Sequence, residues 1–133
     1  GLQRIRRFRA LTLWFMLRRY GARAMRDKLR GHVALAAEFA EWVRTEPEWE
    51  ILAPHPLSVV CFRYAPDGAA EEARDELNLR IMHDVNATGE AYLSSTKLDG
   101  RVALRVAIGN ERTTRDDVRA AWELLRRAAR ATA

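Results

Sequence analysis

The chain has 133 residues, of which 48% are hydrophobic and 31% are charged, and its net charge is +5. This length and balance are typical of one globular domain that can bury a core. No apolar run approaches the ~20 residues that a membrane-spanning helix needs, and no signal peptide is recognisable. The single cysteine, Cys61, excludes an intrachain disulfide and favours a reducing compartment, so we expect a cytoplasmic location.

The charge is distributed unevenly along the chain. Residues 1–30 contain ten Lys and Arg against one acid, Asp27, whereas the rest contains thirteen basic and seventeen acidic residues. Such a basic segment suits nucleic acid or an acidic partner surface. Trp14, Phe15 and Leu17 lie among its arginines and favour a packed amphipathic helix over a disordered tail. We therefore expect neither a nucleic-acid partner nor a membrane partner.

An N-terminal helical segment is predicted over residues 1–47. Its apolar side chains recur at roughly helical spacing, with breaks predicted at Gly21 and Gly31. Residues 32–46 form the better helix of the pair, which Pro47 ends because proline cannot continue a helix. An α+β domain is predicted over the remainder, residues 48–133.

Two strands are predicted next. Residues 49–53 form a short candidate, and Pro54-His55-Pro56 interrupts the pattern. Residues 57–64, reading LSVVCFRY, form the strongest strand, because its β-branched and aromatic residues favour a pleated, buried surface. The nearly continuous apolar run predicts a central position in the sheet and a core location for the Cys61 thiol.

A helix over residues 71–86 precedes a hairpin over residues 92–108. Asp99-Gly100 predicts a type I′ turn, since both central residues of that turn need φ > 0. The turn pairs Leu98 with Arg101, so that Arg101 and Arg105 share a face that is otherwise mostly small and polar. A last helix is predicted from Thr113 or Thr114.

This order predicts an α+β fold: an antiparallel sheet of about four strands with helices on one face. The opposite face of the sheet is left uncovered, and it carries Arg101 and Arg105.

The residues alone contain no self-contained catalytic set. His32, His55 and His83 have no metal-ligand spacing, so no metal site is expected, and no nucleophile or phosphate-loop motif occurs. The histidines on or beside helices are expected at the surface, and the acidic residues between 71 and 76 are expected to form a solvated helix face. Arg105 has two interpretations, an exposed strand arginine or a group that binds a carboxylate or a partner.

The run Arg6-Arg7-Phe8-Arg9-Ala10-Leu11 begins a segment that resembles RRFRALKLW of the group II pyridoxal-phosphate-dependent decarboxylases. This family contains the aromatic-L-amino-acid, tyrosine and histidine decarboxylases. Further blocks follow in order: Arg18-Arg19-Tyr20-Gly21, His32-Val33-Ala34-Leu35, Leu57-Ser58-Val59-Val60-Cys61-Phe62-Arg63, Asn86-Ala87-Thr88-Gly89, Leu104-Arg105-Val106-Ala107-Ile108-Gly109-Asn110, Thr113-Thr114 and Ala121-Trp122.

The resemblance implies the small C-terminal domain of a fold-type I enzyme, a cytoplasmic homodimer that decarboxylates amino acids, aromatic ones above all. Its partner is an upstream large domain, which carries pyridoxal phosphate and the Schiff-base lysine, and over whose site this domain closes. This chain alone is then expected to be inactive, with no catalytic or cofactor-binding residue and no bound cofactor.

By position, the resemblance makes Arg6 and Arg105 candidates for the substrate pocket or the domain interface. Ile5 is a third candidate, because the family usually has a small residue there, and Thr12 replaces the usual lysine. These departures leave the shape of the pocket open. The alternative function is a non-catalytic binding or interaction module that retains this fold.

Overall fold

The structure is a computed structural model that describes the backbone of residues 2–52, 58–109 and 112–132, with the side chains of these residues except 2–22 and 25. Two compact units are present, Gly1–Gly31 and His32–Ala133. No helix in this described part of the chain is long and apolar enough to cross a membrane.

The first element is one helix, α1, spanning Leu2–Thr45. The predicted breaks at Gly21 and Gly31 are therefore wrong. A glycine inside a helix costs only about 1 kcal/mol relative to alanine, and the neighbouring residues are mostly good helix formers. Pro47 lies just beyond the end of the helix, as predicted.

Four antiparallel strands form a sheet in the order β1-β2-β4-β3. Strand β1 spans Trp49–Ile51, β2 spans Val59–Tyr64, β3 spans Ser94–Leu98 and β4 spans Arg101–Ala107. The central position predicted for β2 is confirmed, since β2 pairs with both β1 and β4. The predicted interruption at Pro54-His55-Pro56 lies outside the described residues.

The hairpin between β3 and β4 has the predicted register. Leu98 pairs with Arg101, and Ser94 pairs with Arg105. Asp99 has a φ of 52° and Gly100 a φ of 76°, as a turn with two left-handed residues requires. The turn therefore fixes which side chains share each face of the hairpin.

Two further helices follow the predicted boundaries closely. Helix α2 spans Glu71–Ala87 and α3 spans Arg115–Ala131. Thr114 caps α3: its side chain accepts a hydrogen bond from the backbone N–H of Asp117, whose carboxylate accepts one from the N–H of Thr114. This reciprocal capping box explains why the helix starts where it does.

The core lies between the helices and one face of the sheet. Phe39 of α1 contacts Phe62 of β2 with ring centroids 5.1 Å apart, and contacts Trp122 of α3 at 5.8 Å, both edge to face. Such edge-to-face pairs stabilise a core beyond their buried area. The predicted fold class, an antiparallel sheet with helices on one face, is confirmed.

Two polar residues are buried near this core. His32 is buried, so the surface position expected for it is wrong, and Asn78 of α2 is fully buried. The carboxamide of Asn78 can be buried because it is satisfied by backbone groups: its Oδ1 accepts from the Tyr64 N–H at 2.8 Å, and its Nδ2 donates to the Tyr64 carbonyl at 2.8 Å. His83 is exposed, as expected.

Candidate functional site

The candidate site is the sheet face that carries no helix within the described residues of the unit His32–Ala133, called here the helix-free face. Strand alternation places its side chains opposite the buried set of Val60, Phe62 and Leu104. Its strand residues are Glu50 of β1, Val59, Cys61 and Arg63 of β2, Ser94, Thr96 and Leu98 of β3, and Arg101, Ala103, Arg105 and Ala107 of β4.

Cys61 lies on this face and not in the core. It pairs with Arg105 across β2 and β4 and is only partly buried. The predicted core position is wrong because Val60 and Phe62, its two chain neighbours, occupy the buried side. An apolar run in a central strand does not reveal which of its residues point away from the helices.

One end of the helix-free face is closed by ion pairs around Arg63. Its Nε donates to Glu50 Oε1 at 2.6 Å, and its Nη1 and Nη2 donate to the two carboxylate oxygens of Glu71 at 2.9 and 3.2 Å. Only 1% of the Arg63 side chain is exposed. We call Glu50, Arg63, Arg101 and Ala103 the closed end.

The charges at the closed end reinforce one another. Hydrogen bonds from Arg63 hold the pKa of the Glu71 carboxyl below its usual value, and the charges of Arg74 and Arg101 act in the same direction. The Glu71 hydrogen bond in turn raises the pKa of Arg63. The solvated helix face expected between residues 71 and 76 is confirmed for Glu71, Glu72 and Glu76, which are exposed. It is wrong for Asp75, which is partly buried and accepts a hydrogen bond from the Val102 N–H at 2.9 Å.

The other end of the face is open. Ser94 and Ala107 are exposed, and Tyr92, two residues before the start of β3, is 75% exposed. Arg105 is partly buried between them. Among the described residues, no carboxylate forms an ion pair with Arg105, in contrast to Arg63. We call Tyr92, Ser94, Arg105 and Ala107 the open end.

The other candidate residues cannot be placed against Arg105. The backbone of Ile5 and Arg6 belongs to α1, and their side chains lie outside the described residues. Arg105 itself has the predicted position, on the uncovered face with Ser94 directly opposite.

A cavity of about 270 Å³ lies elsewhere, at the β1 edge of the helix-covered side. No residue of β3 or β4 lines it. Its wall contains charged, aromatic and small residues: Glu46, Pro47, Glu48, Trp49, Tyr64, Arg126, Ala129 and Arg130. Burial and the hydrogen bond to Glu48 raise the pKa of the Tyr64 hydroxyl. The described side chains form no group of three potential metal ligands.

The hydrogen-bonding roles of several polar residues around the site were not predicted from the sequence. Arg63 stands inside an apolar strand, a pattern that signals a paired charge, but its partners are 13 and 8 residues away. Asn78 and Asn86 lie on α2 among apolar and charged residues. Asn78 bonds to the backbone of Tyr64 in β2, and Asn86 bonds to the backbone of Leu93, just before β3. No local spacing rule identifies such partners.

The described residues do not assemble a site for pyridoxal phosphate. This cofactor forms an imine with a lysine, and the sequence has only Lys28 and Lys97. Lys97 pairs with Val102, so it belongs to the opposite set of hairpin side chains from Arg105. We therefore derive no chemical step through the cofactor within this chain.

The chain is similar in sequence to known proteins of one family. Residues 1–65 match the model of the pyridoxal-dependent decarboxylase conserved domain. Tryptophan decarboxylase TDC2 of Camptotheca acuminata is 39% identical over 125 residues, covering 93% of this chain and 25% of the relative. Phenylacetaldehyde synthase of Arabidopsis thaliana is 38% identical over 120 residues, covering 90% of this chain and 24% of the relative.

The fold is similar to that of solved structures over the same extent. Oryza sativa TDC, solved with PLP and tryptamine, superposes with a TM-score of 0.82 and 34% identity. The match covers 90% of this chain and 26% of that one. The chain therefore spans about a quarter of the length of the relatives it matches.

Proposed function

Because the chain belongs to the family of pyridoxal-dependent decarboxylases, we propose that it is the C-terminal domain of an enzyme that removes the carboxyl group of an aromatic L-amino acid. The observation that carries the proposal is the match along nearly the whole chain to relatives about four times its length. Arg105 on the helix-free face supports the proposal independently. It has no carboxylate partner among the described residues, and a covering domain could supply one.

The reaction divides between the two parts of such an enzyme. Pyridoxal phosphate, when bound, supplies the electron sink for loss of carbon dioxide. The large domain holds it, and the present chain contributes the wall that closes over the site. Closing a site excludes water and strengthens the electrostatic interactions inside it.

Arg105 is proposed to lie where the two domains meet, as a domain-interface or substrate-pocket residue. Its guanidinium can bind a carboxylate through two parallel hydrogen bonds, whether the carboxylate belongs to the large domain or to the substrate. Arg6 is proposed for the same region, and Ile5 is proposed to narrow the pocket beside it.

The finer assignments follow from the same proposal. We propose aromatic amino acids as the substrate class, a homodimer as the assembly and the cytoplasm as the location, which suits the single cysteine. That this chain alone binds no cofactor stays a prediction.

Decarboxylation by the natural protein that carries this chain tests the proposal. The protein is purified with added pyridoxal phosphate, and carbon dioxide release is measured with tryptophan, tyrosine, 3,4-dihydroxyphenylalanine, phenylalanine and histidine. We expect release from at least one aromatic substrate. Absence of release from all of them, in a protein that retains the cofactor, would contradict the proposed reaction and favour a non-catalytic module.

Two matched variants separate a role at the site from a general loss of charge. Arg105→Ala is expected to lower kcat/KM about tenfold or more, since it removes a charged group at a desolvated contact. Arg127→Ala removes an exposed arginine of α3 and is expected to leave the rate unchanged. Equal values of kcat/KM in the two variants would contradict the proposed place of Arg105 at the interface.

A further inference from the structure

Tyr92 is the most exposed large hydrophobic residue that the structure describes, with 75% of its surface accessible. It lies at the open end, two residues before Ser94, which pairs with Arg105. Tyrosine and arginine are enriched among the residues that contribute most to protein interfaces. The two side chains therefore form the chemical combination that is expected of an interface anchor.

The backbone beside Tyr92 is held in place by Asn86. The Asn86 Oδ1 accepts a hydrogen bond from the Leu93 N–H at 2.7 Å, and its Nδ2 donates to the Leu93 carbonyl at 3.0 Å. The Leu93 side chain is buried in the core. The residue that follows Tyr92 is therefore held by its backbone bonds to Asn86 and by its buried side chain. This leaves the Tyr92 ring exposed on a backbone that is held in place.

A second asparagine of α2 makes the same pair of bonds in a different place. Asn78 holds the backbone of Tyr64 at the end of β2 and is fully buried, with no role at the open end. Each asparagine holds one residue's N–H and carbonyl through its carboxamide, and Asn78 also donates to the Arg74 carbonyl at 2.7 Å. A substitution at Asn78 is therefore a control for one at Asn86.

We infer that Tyr92, held by Asn86, is the aromatic anchor through which the open end docks onto the cofactor-binding large domain. The inference rests on the proposed function. Two observations favour this occupant: the relatives are about four times longer than this chain, and Arg105 has no carboxylate partner within the described part of the chain. The surface that it contacts is an apolar pocket for the ring with a carboxylate for the guanidinium.

Asn86 is a positioning residue in this arrangement, because it acts through Tyr92. Replacing it by alanine removes both bonds to Leu93 and lets the segment between α2 and β3 move. Replacing it by aspartate keeps an acceptor for the Leu93 N–H and loses the donor for the carbonyl, so an intermediate effect is expected.

The test uses the natural protein and measures kcat and KM together with backbone amide exchange. Tyr92→Ala and Asn86→Ala are each expected to lower kcat/KM about tenfold and to accelerate exchange in β3. If Asn86 acts through Tyr92, the double variant loses no more activity than either single one. Leu79→Ala, at an exposed position of α2, is expected to change neither property.

The outcomes distinguish this inference from the proposed function. If kcat and KM are unchanged in Tyr92→Ala, Tyr92 is not an interface anchor. The proposed decarboxylation by the parent protein is unaffected by that result. Additive losses in the double variant, or an Asn78→Ala variant with the same kinetic signature as Asn86→Ala, would overturn the positioning role. A natural protein without a cofactor-binding domain would overturn both proposals.

Discussion

The two ends of the helix-free face carry the same residue type in opposite states. At the closed end, Arg63 is buried and bonded to Glu50 and Glu71, one from the neighbouring strand and one from α2. At the open end, Arg105 has no carboxylate partner among the described residues. A strand arginine can therefore stabilise its own domain or remain available to another one.

The two arginines differ because the chain segments next to the two ends bring different side chains near them. The loop between β2 and α2 brings Glu71 back to the strand that precedes it, so that the closed end is completed within the domain. The segment that leads into β3 brings Tyr92, which supplies no charge. Within the described residues of this unit, the open end thus has neither a carboxylate paired with Arg105 nor cover for the Tyr92 ring, as expected of a surface that a second domain covers.

The largest effect on stability is expected in the hydrophobic core, which lies on the other side of the sheet and supports both ends of the helix-free face. Phe39→Ala should lower the free energy of unfolding by about 3–5 kcal/mol, because the ring is fully buried against Phe62 and Trp122. Urea denaturation measures it. A loss below about 1 kcal/mol would mean that the helices do not pack on the sheet as described.

Breaking the closed end should have the next largest effect. Arg63→Met removes three charge-assisted hydrogen bonds and should lower the free energy of unfolding by about 1–3 kcal/mol. The loss is smaller than for a fully buried pair because Glu50 and Glu71 remain partly exposed and regain water. An unchanged urea midpoint would contradict the account of this end.

The closed end should also make stability depend on acid. The pKa of Glu71 is lowered in the folded chain, so its contribution is present above the usual glutamate pKa and is lost as the pH falls through the folded value. Urea midpoints measured from pH 7 down to the onset of acid unfolding should fall less steeply in Arg63→Met than in the unchanged protein. If the urea midpoints of the two proteins fall equally steeply with pH, the Glu71–Arg63 ion pair does not contribute to stability as described.

The smallest effect is expected at the open end. Arg105→Met should change the stability of the domain by no more than about 0.5 kcal/mol, since Arg105 forms no ion pair with any side chain that the structure describes. The comparison with Arg63→Met is direct, because both substitutions place the same side chain on the same face. Equal losses at the two ends would show that Arg105 is part of the internal structure of the domain.

Local rules predicted the hairpin and the last helix well. The turn at Asp99-Gly100 requires two left-handed residues, and Thr114 with Asp117 satisfies the first backbone donors of α3. Both signals act within a few residues of the feature that they specify, so the sequence carries them in readable form. The polar face of the hairpin, including Arg105, followed from the turn alone.

Features that depend on distant partners were not predicted. Cys61 was assigned to the core because its strand is apolar, and its true side depends on which neighbours the helices cover. The roles of Arg63 and Asn86 depend on groups brought near by the fold. The continuity of α1 through Gly21 was missed because a glycine weakens a helix without ending it.

The central claim is that the open end is covered by a cofactor-binding domain of the same protein. The most direct measurement is the intact mass of the natural protein, taken together with its visible absorbance spectrum. We predict a protein about four times the length of this chain, with the yellow absorbance band of bound pyridoxal phosphate. A natural product of 133 residues without that band would contradict the account.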